Sequence, residues 1–476
     1  MSERKKDLLL LSFWVLLVFW VRAWNGDLRA DALSYAVIAK GMAEGGHWLD
    51  PRIIDIPYQN KPPLFFWLVA GFFKLLGVGF YAAKLPALIF ATADVFLIYL
   101  VALKWFKERD IAFFSAFSFA TTRWLVRDFT TVRPESLLVF ALLMGLYSFS
   151  LISEKKKSGP YLLGLSFILA YMAKMSFAFL LPLWFFIYAL GSGRVREWLW
   201  WPHLYGGALF GFSVPALWLL MFEARSPGYM RNIFIRETFE KAAQGFDVGT
   251  DKLMYLKEFL LYQPWLIFLL VGVVVLWRER KNPHPRFILT GGFLMGFVLQ
   301  LSTGKAARYL IPLTPMLAMT AAHGIVRFKK INSFMRKFAL YAAPVFLVFL
   351  WTVPVPINPP KFHTLHLAAE LGKESPDYRE TFAFLAKDAA RTKIPLVQWA
   401  PGPLAGGVNE YRLSNYFYLP RGTPVWDDAS LKRGAGKGNF LLLAPAPYID
   451  KMPPELKPVL IHRDRYHALL LLRGRD

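Results

Sequence analysis

A few acids and an excess of cations stand out in segments flanked by long apolar runs. Asp31 lies in Arg29-Ala30-Asp31-Ala32-Leu33-Ser34-Tyr35-Ala36, and the same segment ends in Pro57-Tyr58-Gln59-Asn60-Lys61-Pro62-Pro63. Arg123, Arg127, Asp128, Arg133 and Glu135 form a second cluster, and Lys305 and Arg308 a third, within Gly304-Lys305-Ala306-Ala307-Arg308-Tyr309-Leu310-Ile311-Pro312. An acid that accepts a proton from the attacking group, beside cations that stabilise a departing phosphate, suits transfer of a group from a lipid-linked phosphate. Plainer readings stand beside this one. Asp31 falls where a helix would begin and would serve as its N-cap, worth about 1 kcal/mol; the two roles are compatible. Lys61 could hold a phosphate at headgroup depth, ahead of two stiffening prolines, or snorkel beside an apolar helix. Some charges of the second cluster must pair, Arg127 with Asp128 or Arg133 with Glu135 through neighbours, because charge so close to apolar spans is costly alone. The third cluster carries more charge than a short surface turn needs.

The elements that position these residues follow from composition. The chain has 476 residues, 55% hydrophobic, 17% aromatic and 19% charged, with no cysteine. An ordinary soluble domain carries about 25% charged residues, so a soluble globular protein is excluded. The formal charge of +23 falls in short clusters between apolar runs, the pattern of membrane-protein loops and not of a nucleic-acid surface. Without cysteine there is no disulfide, thiolate metal site or cysteine nucleophile.

A basic start, Met1 to Lys6, and an apolar run from Leu8 to about Trp24 predict an uncleaved signal anchor. Further runs near 84–105, 110–129, 134–152, 203–223, 258–277, 286–302, 307–326 and 337–356 are long enough to span, and 160–190, broken around Lys174, makes two short spans. Every second connection is basic, which puts those loops and the N-terminus inside. This alternation holds only if Pro63 to Leu76 does not cross, so that segment is expected to lie in or dip into the outer interface, begun by Pro62 and Pro63. The prediction is an all-α polytopic membrane domain over 1–358, with about eleven spans plus interfacial helices and a first outer loop at 25–82. A small α/β domain over 359–476 is expected outside, with strands near 394–399, 439–445 and 466–473 and helices near 376–391 and 410–419. Its aromatics, such as Tyr411, Tyr416, Phe417 and Tyr418, fit a small-domain core better than a sugar platform.

Taken in order, the segments RADALSYAVIAKGMAEGGHWLDPRIIDIPYQNKPPLFFW, KLPALIFATADVFLIYL, RPESLLVFALLMGLYSF, YMAKMSFAFLLPL and GKAARYLIPLTPMLA resemble the bacterial lipid A aminoarabinose transferase family. That family is related to the dolichyl-phosphate-mannose protein mannosyltransferases and has the GT-C glycosyltransferase fold. The resemblance covers about residues 8–326. It implies an inverting transferase of the bacterial inner membrane, with a cytoplasmic N-terminus and a periplasmic C-terminal domain. The donor would be a polyprenyl-phosphate sugar and the acceptor lipid A or another periplasm-facing lipid or glycan, with membrane lipids as surroundings and no nucleic acid. By resemblance, Asp31 is the catalytic acid and Tyr35 the tyrosine that follows it. Tyr58 and Lys61 match the loop end where the lysine contacts the lipid phosphate, Glu135 stands where an Asp is usual, and Tyr309 matches a late tyrosine. Arg127, Arg133, Lys305 and Arg308 complete the expected substrate-binding set. Ala32, Ser34, Asn60 and Thr238 depart from the family pattern, so no metal or other cofactor is expected. Lys241 fits an amphipathic surface helix better than a replacement for the usual arginine.

Two other classes compete. A flippase for lipid-linked sugars would place ionisable groups near the bilayer midplane and show pseudo-symmetric halves; Lys174 is the one candidate. A non-catalytic assembly subunit would need Asp31 for capping alone.

Overall fold

The computed structural model describes residues 2–24, 28, 30–54, 56–235, 253–262, 265–302, 305–328, 330–339, 395–399, 416–419, 423–434, 439–452, 456, 458–463 and 467–472. Its helices run α1 Glu3–Val15, α2 Asp31–Gly45, α3 Leu64–Leu76, α4 Phe80–Phe106, α5 Arg109–Ala120, α6 Arg123–Phe129, α7 Glu135–Ser153 and α8 Ser158–Ala178. They continue as α9 Leu180–Ser192, α10 Val195–Leu199, α11 Pro202–Arg225, α12 Met254–Tyr262, α13 Leu266–Arg278, α14 Pro283–Leu301, α15 Thr314–Val326 and α16 Asp428–Gly434. The chain divides into two compact units. The first comprises 1–25, 58–69 and 84–355, and the second 26–57, 70–83 and 356–476.

Among the described residues, α4, α7, α8, α11 and the run Ala307–Val326 are long and apolar enough to cross a membrane. Apolar side chains cannot hold helices together against lipid, so the first unit uses close approach and buried hydrogen bonds instead. The indole N–H groups of Trp14, Trp124 and Trp184 donate to the Ala339 carbonyl at 2.7 Å, the Thr314 hydroxyl at 2.8 Å and the Phe287 carbonyl at 2.8 Å. Gly164 of α8 faces Gly207 and Gly211 of α11 so closely that a Cβ on Gly164 would strike the Gly207 carbonyl.

The helix α3 is 13 residues long, about 20 Å at 1.5 Å per residue against a hydrocarbon core of about 30 Å. It begins directly after Pro62 and Pro63, where its start was expected. The expected span at 110–129 is corrected: it is two helices, α5 and α6, broken at Thr121 and Thr122. Both threonine hydroxyls bond back to carbonyls four residues earlier, Thr121 to Phe117 at 2.8 Å and Thr122 to Ser118 at 2.7 Å, and such back-bonding competes with helix continuation. Residues Ile111 to Ala120 are all buried, so α5 is a core helix. The break expected at Lys174 is present, since that residue takes an extended backbone (φ −160°, ψ 83°) inside α8. Of the span expected at 337–356, all beyond residue 339 lies outside the described residues.

In the second unit, strands β1 (Arg52–Ile53) and β2 (Ile56–Pro57) form a small antiparallel pair. A five-stranded sheet has the order β4-β3-β5-β7-β6, from β3 Leu396–Trp399, β4 Val425–Trp426, β5 Phe440–Pro445, β6 Val459–Arg463 and β7 His467–Leu472. The strand β3 runs parallel to β4 and β5, whereas β7 is antiparallel to β5 and β6. All six residues of β5 are buried, which is why its run is apolar without alternation. The helix expected near 376–391 lies outside the described residues, as does Tyr411. Of 410–419 the structure describes 416–419, with 416–418 helical, and Phe417 packs against Phe73 and Tyr418.

The first-loop helix is fastened to that segment. The Lys40 ammonium, almost fully buried, donates to the carbonyls of Tyr416, Phe417 and Leu419 at 2.8, 3.1 and 2.7 Å. Burial pushes its pKa down, with Glu44 opposing. Lys40→Met keeps the volume but leaves three buried carbonyls without their donor, a loss on the order of 3 kcal/mol. Amide exchange in α2 should accelerate in this variant; unchanged protection would show that the three bonds do not hold the helix.

Candidate anion-binding site

The charged cluster of the first unit is built where α6, α7 and the broken end of α8 present their termini. Asp128, buried in the last turn of α6, accepts from Arg127 Nε at 3.0 Å and Nη2 at 2.6 Å. Its other oxygen lies 3.5 Å from Arg133 Nη1. The expected Arg127–Asp128 pair is therefore present, and Arg133 pairs with Asp128.

Glu135 occupies the first turn of α7, where the helix dipole favours a negative charge. It is buried, and its Oε1 lies 3.1 Å from Lys174 Nζ. Among the described residues its Oε2 receives no hydrogen bond. The charges of Lys174, Arg133, Lys61 and Arg308, in that order, act on this carboxylate. Five cations, counting Arg127, thus surround two carboxylates. The extended backbone at Lys174 breaks α8 where its ammonium meets Glu135. That ammonium also lies 5.0 Å from the ring centre of Phe177 and 5.3 Å from that of Tyr309. The Arg308 guanidinium is 5.5 Å from the same tyrosine ring, and Tyr58 meets Phe66 edge-on at 5.7 Å.

Of the expected residues, Lys61, Arg133, Glu135, Arg308 and Tyr309 come together around this carboxylate, and Arg127 joins through Asp128. Lys305 is placed differently. Its buried ammonium donates to the carbonyls of Leu299, Gln300 and Ser302 at 3.4, 3.0 and 2.8 Å and lies 5.0 Å from the Tyr255 ring centre. Its three donors close the C-terminal end of α14. Lys174 and Asp128 are the members that sequence reasoning did not assign to the site; a lone lysine in an apolar run was the available signal.

Asp31 and Tyr35 belong to the second unit. The N-cap reading of Asp31 is corrected by one position: Ala30 is the cap and Asp31 the first helical residue, partly exposed. Ala30 takes a positive φ of 45°, a conformation costing a residue with a Cβ on the order of 1–3 kcal/mol. Strain of this kind immediately before a charged helix start fixes the direction in which the helix is entered. Tyr35 follows four residues later on the same helical face and is buried. Thr238 and Lys241 lie outside the described residues. Among the described residues no three His, Cys, Asp or Glu side chains are grouped to hold a metal.

Residues 60–220 match the model of the dolichyl-phosphate-mannose-protein mannosyltransferase family. The undecaprenyl phosphate-alpha-4-amino-4-deoxy-L-arabinose arabinosyl transferase of Erwinia tasmaniensis is 25% identical over 315 residues, 63% of this chain and 56% of that protein. The protein of the same name from Pseudomonas savastanoi is 24% identical over 340 residues, 68% of this chain and 62% of its own. The chain thus matches less than two thirds of the length of these relatives. The crystal structure of ArnT from Cupriavidus metallidurans bound to undecaprenyl phosphate superposes with a TM-score of 0.72 at 16% identity, covering 100% of both chains. The long apolar helices, the small strand-bearing unit and this likeness define a polytopic membrane protein. At 16% identity the likeness shows a shared fold.

Proposed function

We propose that the protein is an inner-membrane glycosyltransferase that moves a sugar from a polyprenyl phosphate to an acceptor facing the periplasm, lipid A or another envelope glycan or lipid. The observation that carries this reading is the cationic surround of Glu135 and Asp128, where Lys174, Arg133, Lys61, Arg308 and Arg127 outnumber the two carboxylates. Net positive charge gathered next to apolar helices favours an anionic ligand. A polyprenyl phosphate supplies both the anion and an apolar tail. The undecaprenyl phosphate bound by ArnT in its crystal structure and the names of the relatives are of the same chemistry.

In the proposed reaction the acceptor oxygen attacks the anomeric carbon and the bond to the phosphate oxygen breaks, with inversion. The acceptor proton passes to Asp31, and the cations receive the charge developing on the departing polyprenyl phosphate. Tyr35 and Tyr58 join the substrate-binding set through the same resemblance that assigns Asp31. Asp31 holds its role through the family resemblance. The reaction needs no metal, because lysine and arginine charges do the electrostatic work.

Purified protein incubated with a panel of polyprenyl-phosphate sugars should release polyprenyl phosphate from one of them; release from none, with acceptor lipid present, refutes the reading. Lys61→Ala should weaken donor binding roughly 10- to 100-fold, the worth of one charge-assisted hydrogen bond. Donor affinity equal to that of the unmodified protein would remove Lys61 from the phosphate site.

A further inference from the structure

Between α8, α9, α10 and α11 lies a cavity of about 290 Å³. Leu163, Phe167, Phe185, Trp198, Ala208 and Phe212 line it, and no charged side chain does. One wall, α11, turns much of its surface outward, with Leu209, Leu217 and Leu220 each more than 60% exposed, so the cavity belongs to the lipid-facing side of these helices.

Its edge is basic. The short helix α10 sends Val195, Trp198 and Leu199 into the lining, and the same turn carries Arg194 and Arg196. Lys155 pairs with Glu197 and sits 5.2 Å from the Trp201 ring centre, and Lys156 pairs with Glu154 at 2.8 Å. Arg194, Arg196 and Lys157 have no carboxylate partner among the described residues. Lys174 lies fourteen residues along α8 from Pro160 at this edge, about 21 Å at 1.5 Å per residue. This is therefore a different anion site from the one around Glu135.

We infer that this cavity holds one hydrocarbon chain of an anionic glycerophospholipid whose phosphate is bound by Arg194 and Arg196. An apolar slot alone accepts any lipid tail, but one whose lining helix also carries Arg196, with Arg194 at its start, discriminates by headgroup. A second cation on a zwitterionic headgroup would be brought against Arg194 and Arg196, whereas phosphatidylglycerol brings net negative charge. Bidentate guanidinium contacts suit a phosphate diester. The inference does not depend on the proposed transferase reaction.

The test uses the full chain reconstituted in phosphatidylcholine vesicles containing a minor share of phosphatidylglycerol, extracted in mild detergent, with the retained lipid identified by native mass spectrometry. Phosphatidylglycerol should be enriched roughly tenfold over its share of the vesicle. The double variant Arg194→Gln, Arg196→Gln, at surface positions, should abolish the enrichment. Ala208→Trp, which fills the slot from an exposed position, should lower total retained phospholipid. Retained lipid that mirrors the vesicle, or enrichment that survives the double variant, overturns the inference. So does undisturbed retention in Ala208→Trp, and displacement of phosphatidylglycerol by added undecaprenyl phosphate would assign the slot to the sugar donor instead.

Discussion

Lys174→Met should destabilise the folded protein by about 3–5 kcal/mol, the cost of stranding one member of a buried ion pair. Glu135 is buried, and its Oε1 lies 3.1 Å from Lys174 Nζ. Arg133, Lys61 and Arg308 also act on it, but more weakly than Lys174. The double variant Lys174→Met, Glu135→Gln removes both charges and should recover most of the loss, because a pair replaced together leaves no uncompensated carboxylate. Thermal unfolding in detergent of the two single variants and the double closes the cycle. If Lys174→Met unfolds at the same temperature as the parent, the pair is not what holds α8 broken against α7. The double variant also separates architecture from chemistry: its net charge matches that of the parent, so its donor affinity reports whether Lys61, Arg133 and Arg308 suffice for the phosphate.

What could be read from the sequence follows from how each feature is encoded. The cations of the site were visible because charge beside an apolar run is costly and therefore conspicuous, and the break at Lys174 was visible for the same reason. Its partner was not, since Glu135 lies 39 residues away and pattern does not report pairings across helices. Lys305 misled in the opposite sense. Its charge stood out, but the three carbonyls at the end of α14 that it satisfies have no side-chain signature. The continuous span expected at 110–129 failed because hydropathy averages over Thr121 and Thr122, whose hydroxyls stop the helix by bonding to the preceding turn. In the C-terminal sheet, the expected strands at 394–399, 439–445 and 466–473 contain β3, β5 and β7, each mostly apolar. The edge strands β4 and β6 escaped notice, one for its two-residue length and the other for its polar His462 and Arg463.

Asp31→Asn should lower turnover by about 10²- to 10⁴-fold, the usual worth of a positioned proton acceptor, while leaving the fold intact. The stability part follows from its position. Asp31 is the first residue of α2 and partly exposed, so asparagine loses only the interaction of one charge with the helix N-terminus, about 0.3–1 kcal/mol. The two consequences therefore separate by orders of magnitude. A helix-start role predicts a small shift in unfolding and nearly normal turnover, and a proton-accepting role predicts a folded protein that binds donor and does not transfer. Donor affinity should be unchanged, since in the proposed reaction the phosphate is held by cations and not by this acid. Asp31→Glu, which restores the carboxylate on a longer arm, should recover part of the rate if proton acceptance is the function. Normal turnover by purified Asp31→Asn would leave the strained entry at Ala30 serving only to aim a helix, and the proton acceptor would have to be sought elsewhere.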